Sequence, residues 1–172
     1  LDLRVTFERG PLLADLLFLV ELGHAHRLQA FRHPAAGFRE TGDRPFQANA
    51  QMHLLEAAIA WADAGGDPAW GALADEIATL ALERFIDPAT GALHEFFDAD
   101  WRPLAGEDGA VEPGHLFEWA WLLAQRPTPQ RIAAARRLYE AGRCGFDVAR
   151  GVVINTLHSD LAVRDAAARL WP

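Results

Sequence analysis

Hydrophobic positions recur at helical spacing along most of the chain, and they predict two kinds of helix. The segment 68–85 carries one apolar stripe opposite an acidic face, which is typical of a helix with one side in water. The segment 112–124 is apolar nearly all round after its first turn, apart from His115 and Glu118. Such a helix is expected to be buried on both sides, so two ionisable groups are carried into an interior.

Periodicity and turn residues together predict a mostly helical chain. Asn49 is a good N-cap for the second helix, and Asp67 followed by Pro68 begins the third. Helices are predicted at about 11–32, 49–64, 68–85, 112–124 and 130–141, with short extended pieces at 93–97 and 152–156. Residues 158–169 fit either a loop or a short helix, and the pattern does not decide between them.

An internal repeat emerges from these elements. The pattern x-x-Ala-x-Gly occurs at 33–37, 87–91 and 147–151, each time after a predicted amphipathic helix and before a short extended piece. His53 and Glu56 stand 62 residues before His115 and Glu118, in the same spacing and again on a helix that is apolar nearly all round. The unit is therefore a turn, a short strand, a loop, a buried helix and an amphipathic helix.

Alternation of buried and half-exposed helices predicts an all-α fold of the α/α toroid class. Buried helices would form an inner ring and amphipathic helices an outer ring, with short β pieces at the rim. On that arrangement the two His/Glu pairs, each one helical turn apart, converge on one cavity. A third unit begins at Asp147 and stops at Pro172. We therefore expect residues 1–172 to form one incomplete toroid, about half of the closed ring.

His115 is the first candidate for chemistry. Pro113 suits the first helical position, which places His115 in the first turn, where the positive end of the helix dipole disfavours imidazolium. A histidine kept neutral near pH 7 is able to act as a base. The alternative is a core histidine hydrogen-bonded to Glu118 for stability alone, but a second pair at the same place in the repeat favours the functional interpretation.

Composition narrows the classes of function. The formal net charge is −8 with no basic stripe, which argues against nucleic acid as a partner. The longest apolar run, 12–22, is interrupted by two acids and is too short to span a bilayer. There is no signal-peptide pattern, and the single cysteine, Cys144, fits a reducing compartment, so we expect a cytoplasmic protein.

Four segments, in order, resemble the signature segments of the N-acylglucosamine 2-epimerase superfamily, and within it most closely the mannose isomerase and mannose-6-phosphate-isomerase-like branch. They are N-A-Q-M-H-L-L-E-A (49–57), G-A-L-H-E-F-F-D-A-D-W (91–101), V-E-P-G-H-L-F-E-W-A-W-L-L (111–123) and A-R-L-W-P (168–172). The resemblance covers most of the chain from about Gly37 onward. The family usually has Pro and His where this chain has Ala50 and Gln51, which puts sugar contacts from position 51 in doubt.

The resemblance implies an (α/α)6 barrel that interconverts aldoses and ketoses, or C2 epimers, through a cis-enediol. It implies a monosaccharide substrate and no cofactor or metal, and a homodimer is compatible with it. His115 matches the first of the family's two acid/base histidines, and the second would lie beyond Pro172, so a fragment ending there is expected to be inactive. The expected sugar-binding residues are His53, Glu56, Glu118, Arg169 before the third inner helix, and Trp101 in the loop at the cavity rim.

Three other functions remain open at this stage. Two His-x-x-Glu pairs resemble carboxylate-bridged di-metal bundles, although the order of the residues is reversed and the extra helices lack acids. A glycoside hydrolase on the same toroid would use two of Glu56, Glu118 and Asp100 as paired carboxylates, but would leave the histidines unexplained. A non-catalytic module would bind sugar without exchanging its C2 proton.

Overall fold

Two helical hairpins form the body of the protein. The structure is a computed structural model and describes residues 28–105 and 109–167. Its helices are α1 (Ala48–Asp63), α2 (Pro68–Leu80), α3 (Pro113–Gln125) and α4 (Pro129–Gly142). Helix α1 packs against α2, α3 packs against α4, and α1 also contacts α3. Along the chain, each of the two neighbouring helices α1 and α3 is therefore followed by the helix that packs against it, α2 or α4. The predicted helix at 11–32 lies almost wholly outside the described residues.

Local chemistry sets the helix ends. The Asp67 carboxylate accepts a hydrogen bond from the Ala69 N–H at 2.8 Å, and Thr128 caps α4 in the same way. Helix α2 continues into a π-helical turn, Ala81–Phe85, so the predicted end at Phe85 is confirmed. The prediction of Asn49 as an N-cap is wrong. The helix begins one residue earlier, Gln47 precedes it without a side-chain cap, and the Asn49 side chain lies within the first turn.

The three predicted turns share one backbone conformation. Gly37, Gly91 and Gly151 have φ values of +74°, +75° and +65°, in the left-handed region that glycine adopts at no steric cost. Short antiparallel pairs flank each turn, including the two-stranded ribbon of β1 (Phe146–Asp147) and β2 (Val152–Val153). A single 3-10 turn, Arg143–Gly145, joins α4 to β1. The repeat is therefore present in the fold as well as in the sequence.

Two extended segments, 93–97 and 152–157, are called rim segments here, and each makes main-chain hydrogen bonds at the beginning of α1 or α3. The predicted strand 93–97 forms isolated bridges, and its Glu95 carbonyl accepts a hydrogen bond from the Ala48 N–H at 2.9 Å. Val111, just before α3, exchanges two main-chain hydrogen bonds with Leu157. Residues 158–167 form turns rather than a helix, which settles the part of 158–169 that is described.

Helices α1 and α3 are buried on one side only, so the expectation of burial all round is wrong. Leu116, Trp119 and Leu123 of α3 lie in the core, yet Trp121 of the same helix is 56% exposed. His53 and Glu56 on α1 and Glu118 on α3 are also exposed. No helix from the described ranges covers these side chains. Within residues 28–105 and 109–167, no helix is long and apolar enough to cross a membrane.

Candidate active site

The side chain of His115 meets a buried carboxylate at the beginning of α3. Its Nδ1 lies 3.1 Å from Oε2 of Glu95, which is only 3% exposed, whereas the His115 side chain is 19% exposed. Its other nitrogen, Nε2, lies 3.8 Å from Oε2 of Glu112, a residue that is partly open to solvent. His115 is therefore held from the protein side by Glu95 and remains within reach of solvent.

Electrostatics at this site favour the charged imidazole. Burial lowers the pKa of His115, but the hydrogen bond and charge of Glu95, helped by Glu112 and Glu118, outweigh it and raise that pKa to about 9. Burial also raises the pKa of Glu95, and the His115 charge opposes that rise. The expectation of a neutral His115 near pH 7 is therefore wrong. The dipole of α3 disfavours imidazolium, but three carboxylates surround the ring.

Glu118 plays a smaller part at His115 than the sequence suggested. It contributes through its charge, while the hydrogen bond comes from Glu95. The alternative of a core histidine bonded to Glu118 is thus wrong in its partner. Glu118 is exposed and projects from the same helix one turn further along, so it remains a candidate for contact with a bound molecule.

The second pair has the same residues in a different setting. Nδ1 of His53 lies 3.4 Å from Oε2 of Glu56, and the two side chains are 61% and 56% exposed. This pair is contained within α1, and its side-chain contact spans one helical turn. Its two side chains are available to a ligand, and no buried group from residues 28–105 or 109–167 orients them.

Trp101 is a core residue, which corrects its interpretation as a sugar-contacting residue at the rim. It is 2% exposed, and its indole Nε1–H donates to the carbonyl of Ala36 at 2.9 Å and to Nδ1 of His33 at 3.2 Å. Its ring packs against Phe85 and Phe97. A cavity of about 260 Å³ borders it, but almost none of the side chain is accessible. The structure therefore leaves no indole face for a sugar.

Glu95 is the site residue that sequence reasoning missed. Leu93, Glu95 and Phe97 are all buried, while His94 and Phe96 between them are less so. In an extended segment alternate residues share one face, so an acid between two buried apolar residues is carried inward. The alternation of apolar residues on either side of Glu95 was therefore the sequence feature that could have predicted its burial. Arg169, the remaining candidate, lies outside the described residues.

No group of three or more His, Cys, Asp or Glu side chains is placed to hold a metal ion within 28–105 and 109–167. The site is instead a linked set of one imidazole and nearby carboxylates. A histidine that is held by a carboxylate at one nitrogen and is partly exposed to solvent is suited to exchanging a proton with a bound molecule.

The family model and the curated relatives that match this chain point to the same family of proteins. The sequence model of the family described as N-acylglucosamine 2-epimerase (GlcNAc 2-epimerase) matches residues 19–172. A mannose-6-phosphate isomerase of Rhizobium meliloti is 52% identical over 151 residues, which cover 82% of this chain and 39% of that protein. A D-mannose isomerase of Thermobifida fusca is 35% identical over 126 residues, covering 63% and 30% respectively.

Solved structures confirm the predicted fold class. A sugar epimerase from a ruminal bacterium superposes with a TM-score of 0.65 at 15% identity, covering 83% of this chain and 39% of that one. The cellobiose 2-epimerase of Bacillus thermoamylovorans gives a TM-score of 0.67 at 14% identity, covering 86% and 41%. These neighbours are (α/α)6 barrels, and the chain has the same fold over about 40% of their length.

Proposed function

Because the chain belongs to the N-acylglucosamine 2-epimerase family, we propose that it carries one half of the acid/base machinery of a sugar isomerase or epimerase. The observation that carries the proposal is His115, which is held at Nδ1 by the buried Glu95 while Nε2 lies 3.8 Å from the partly exposed Glu112. The chain spans 39% of the length of the mannose-6-phosphate isomerase it matches, so the proposal concerns the protein that contains the whole ring.

The proposed reaction moves a proton between C1 and C2 of a ring-opened sugar through an enediol. It needs one group that gives a proton to a sugar oxygen and one that takes a proton from carbon. A raised pKa suits His115 to the first role near neutral pH, because the imidazolium then has a proton to give. A positioned acid or base of this kind typically contributes about 10²–10⁴ in rate.

Three exposed side chains of α1 and α3 are proposed to bind the sugar hydroxyls. They are His53, Glu56 and Glu118. Carboxylates accept hydrogen bonds from hydroxyls, and an imidazole both donates and accepts them, so the set fits a neutral polyhydroxylated ligand. Two relatives are named mannose-6-phosphate isomerase and D-mannose isomerase, and these names support a mannose-like aldose as the proposed substrate. A cytoplasmic location stays part of the proposal, supported by the single cysteine in the chain.

Product analysis of the full-length protein tests this function. We would incubate it with mannose, mannose 6-phosphate, glucose and cellobiose in deuterated water and follow the sugars by proton NMR. The proposal predicts a ketose or a C2 epimer with solvent deuterium at C2. Release of monosaccharide from an oligosaccharide would support a hydrolase instead, and binding without exchange would support a non-catalytic module.

A further inference from the structure

We propose that Glu95 is the positioning residue of His115, fixing Nδ1–H towards the protein and leaving Nε2 as the nitrogen that exchanges the substrate proton. This inference rests on the proposed function for the role of Nε2. The orientation of the ring, in contrast, is a property of the protein without substrate and is testable there.

The contact with Glu95 sets the tautomer when that carboxyl is ionised. An ionised carboxylate only accepts hydrogen bonds, so the nitrogen 3.1 Å from Glu95 then carries the proton. Nε2 is then the acceptor of the neutral ring and a second donor of the charged ring. Oε1 of Glu95 is buried and accepts no hydrogen bond from the described part of the chain. The imidazole of His115 lies at hydrogen-bond distance from Oε2, and its hydrogen bond and charge oppose the rise in the Glu95 pKa that burial causes.

Main-chain bonds hold Glu95 in place. Its carbonyl accepts from the N–H of Ala48, and the N–H of His94 beside it donates to the carbonyl of Phe85, both at 2.9 Å. One bond ties the segment to the beginning of α1, and the other ties it to the end of the π-helical turn. A carboxylate on so constrained a backbone has little freedom to follow a moving ring, and the ring therefore takes its orientation from Glu95.

The repeat shows that this acid is particular to one unit. Glu95 lies four residues after the turn glycine Gly91, and the residues four after Gly37 and Gly151 are Thr41 and Asn155. The equivalent positions of the other two units thus have no charge. The fold alone does not require a carboxylate here, which favours a role tied to His115.

The charges around His115 agree with this assignment. Glu95 faces it from the rim segment, Glu112 from the residue before α3, and Glu118 from the next turn of α3. Of the three, Glu95 is the most buried and makes the hydrogen bond, so its charge is the least screened. Glu112, at 3.8 Å and partly exposed, provides a matched carboxylate at the other nitrogen.

Nitrogen-15 NMR of labelled histidine in the full-length protein tests the inference, because the ring shifts report both tautomer and titration. We expect the wild-type ring to titrate with a pKa of about 9 and to keep its proton on Nδ1 when neutral. E95Q should lower that pKa by at least about one unit, a tenfold loss of proton affinity, and the control E112Q should lower it by less. Thermal melting of each variant checks that it is folded.

Activity separates positioning from simple stability. E95Q should reduce kcat with little change in KM and shift the pH profile, and E95D, which keeps the charge, should recover part of kcat. An unchanged His115 titration in E95Q, or a wild-type neutral ring protonated on Nε2, would overturn the inference. If E95Q fails to fold, the tautomer of the wild-type ring still tests whether Glu95 positions His115. If the wild-type protein does not act on sugars, the proposed function is wrong, but the titration of His115 remains a valid test of the role of Glu95.

Discussion

Helices α1 and α3 carry the same His-x-x-Glu pair at the same place in a repeat, but the two histidines differ in their surroundings. His53 is 61% exposed and its partner Glu56 is on its own helix. His115 is 19% exposed and bonds to Glu95, a residue of the rim segment. The difference teaches that a repeat copies residue types, while the segment that packs beside each helix determines how buried those residues are and which groups they contact.

The difference follows from one residue outside both helices. Glu95 lies in the extended segment that braces α1 through its main chain and reaches His115 on α3 through its side chain. His53 makes no comparable bond in the described parts of the chain. We therefore propose that His115 transfers the proton and that His53 binds the sugar, and the following predictions test that division.

Removing each histidine in the full-length protein should give the largest contrast. His115→Ala should reduce kcat by at least about 10²-fold, because an acid/base group is lost. His53→Ala should act mainly on KM, by about tenfold, because it removes one sugar contact. Steady-state kinetics on the converted sugar measures both, and a near-wild-type kcat for His115→Ala would break the assignment.

The turn glycines of successive units should also differ. Gly91→Ala should lower the free energy of unfolding by roughly 2–3 kcal/mol, since it combines a positive φ with a Cβ only 2.7 Å from the carbonyl oxygen of Arg137. Gly151→Ala is the matched control. Its φ is also positive but nothing lies within 4 Å, so it should cost only about 1 kcal/mol. Urea unfolding of both variants gives the comparison, and equal losses would contradict the predicted packing.

Stability should depend on pH through His115. Its pKa rises from the ordinary 6.5 to about 9 on folding, so its stabilisation is complete below about pH 6.5 and is lost as pH rises through 9. Between these values we expect the free energy of unfolding to fall by about 1–2 kcal/mol, after allowance for solvent screening. Glu95→Gln should flatten that decline. Urea unfolding between about pH 6.5 and 9 measures this dependence. If the free energy of unfolding fell equally with pH in the wild type and in Glu95→Gln, Glu95 would not be the source of the raised His115 pKa.

The smallest effect is expected on α1. Glu56→Gln should change the free energy of unfolding by less than about 0.5 kcal/mol, because the His53–Glu56 pair is exposed and separated by 3.4 Å. The same substitution should weaken sugar binding if Glu56 accepts a hydroxyl proton. Thermal melting and KM measured side by side separate the two, and a large loss of stability would show that α1 depends on this pair.

Local features were the predictable ones. Asp67, Pro68 and the turn glycines act on the backbone within a few residues of their own positions, so the sequence pattern located the helices and the repeat. The Glu95–His115 contact joins two segments 20 residues apart, and only the alternation of buried residues around Glu95 hinted at it. The burial of Trp101 depends on aromatic residues from several elements, which a linear pattern does not bring together.

The most direct test of the account is the entry of solvent deuterium at C2 of the sugar, compared between the wild-type full-length protein and His115→Ala. Proton NMR of the C2 signal gives the rate for each. The account predicts exchange by the wild type and a rate at least about 10²-fold lower for the variant, with sugar binding retained. Equal exchange rates in the two proteins would contradict the assignment of proton transfer to His115.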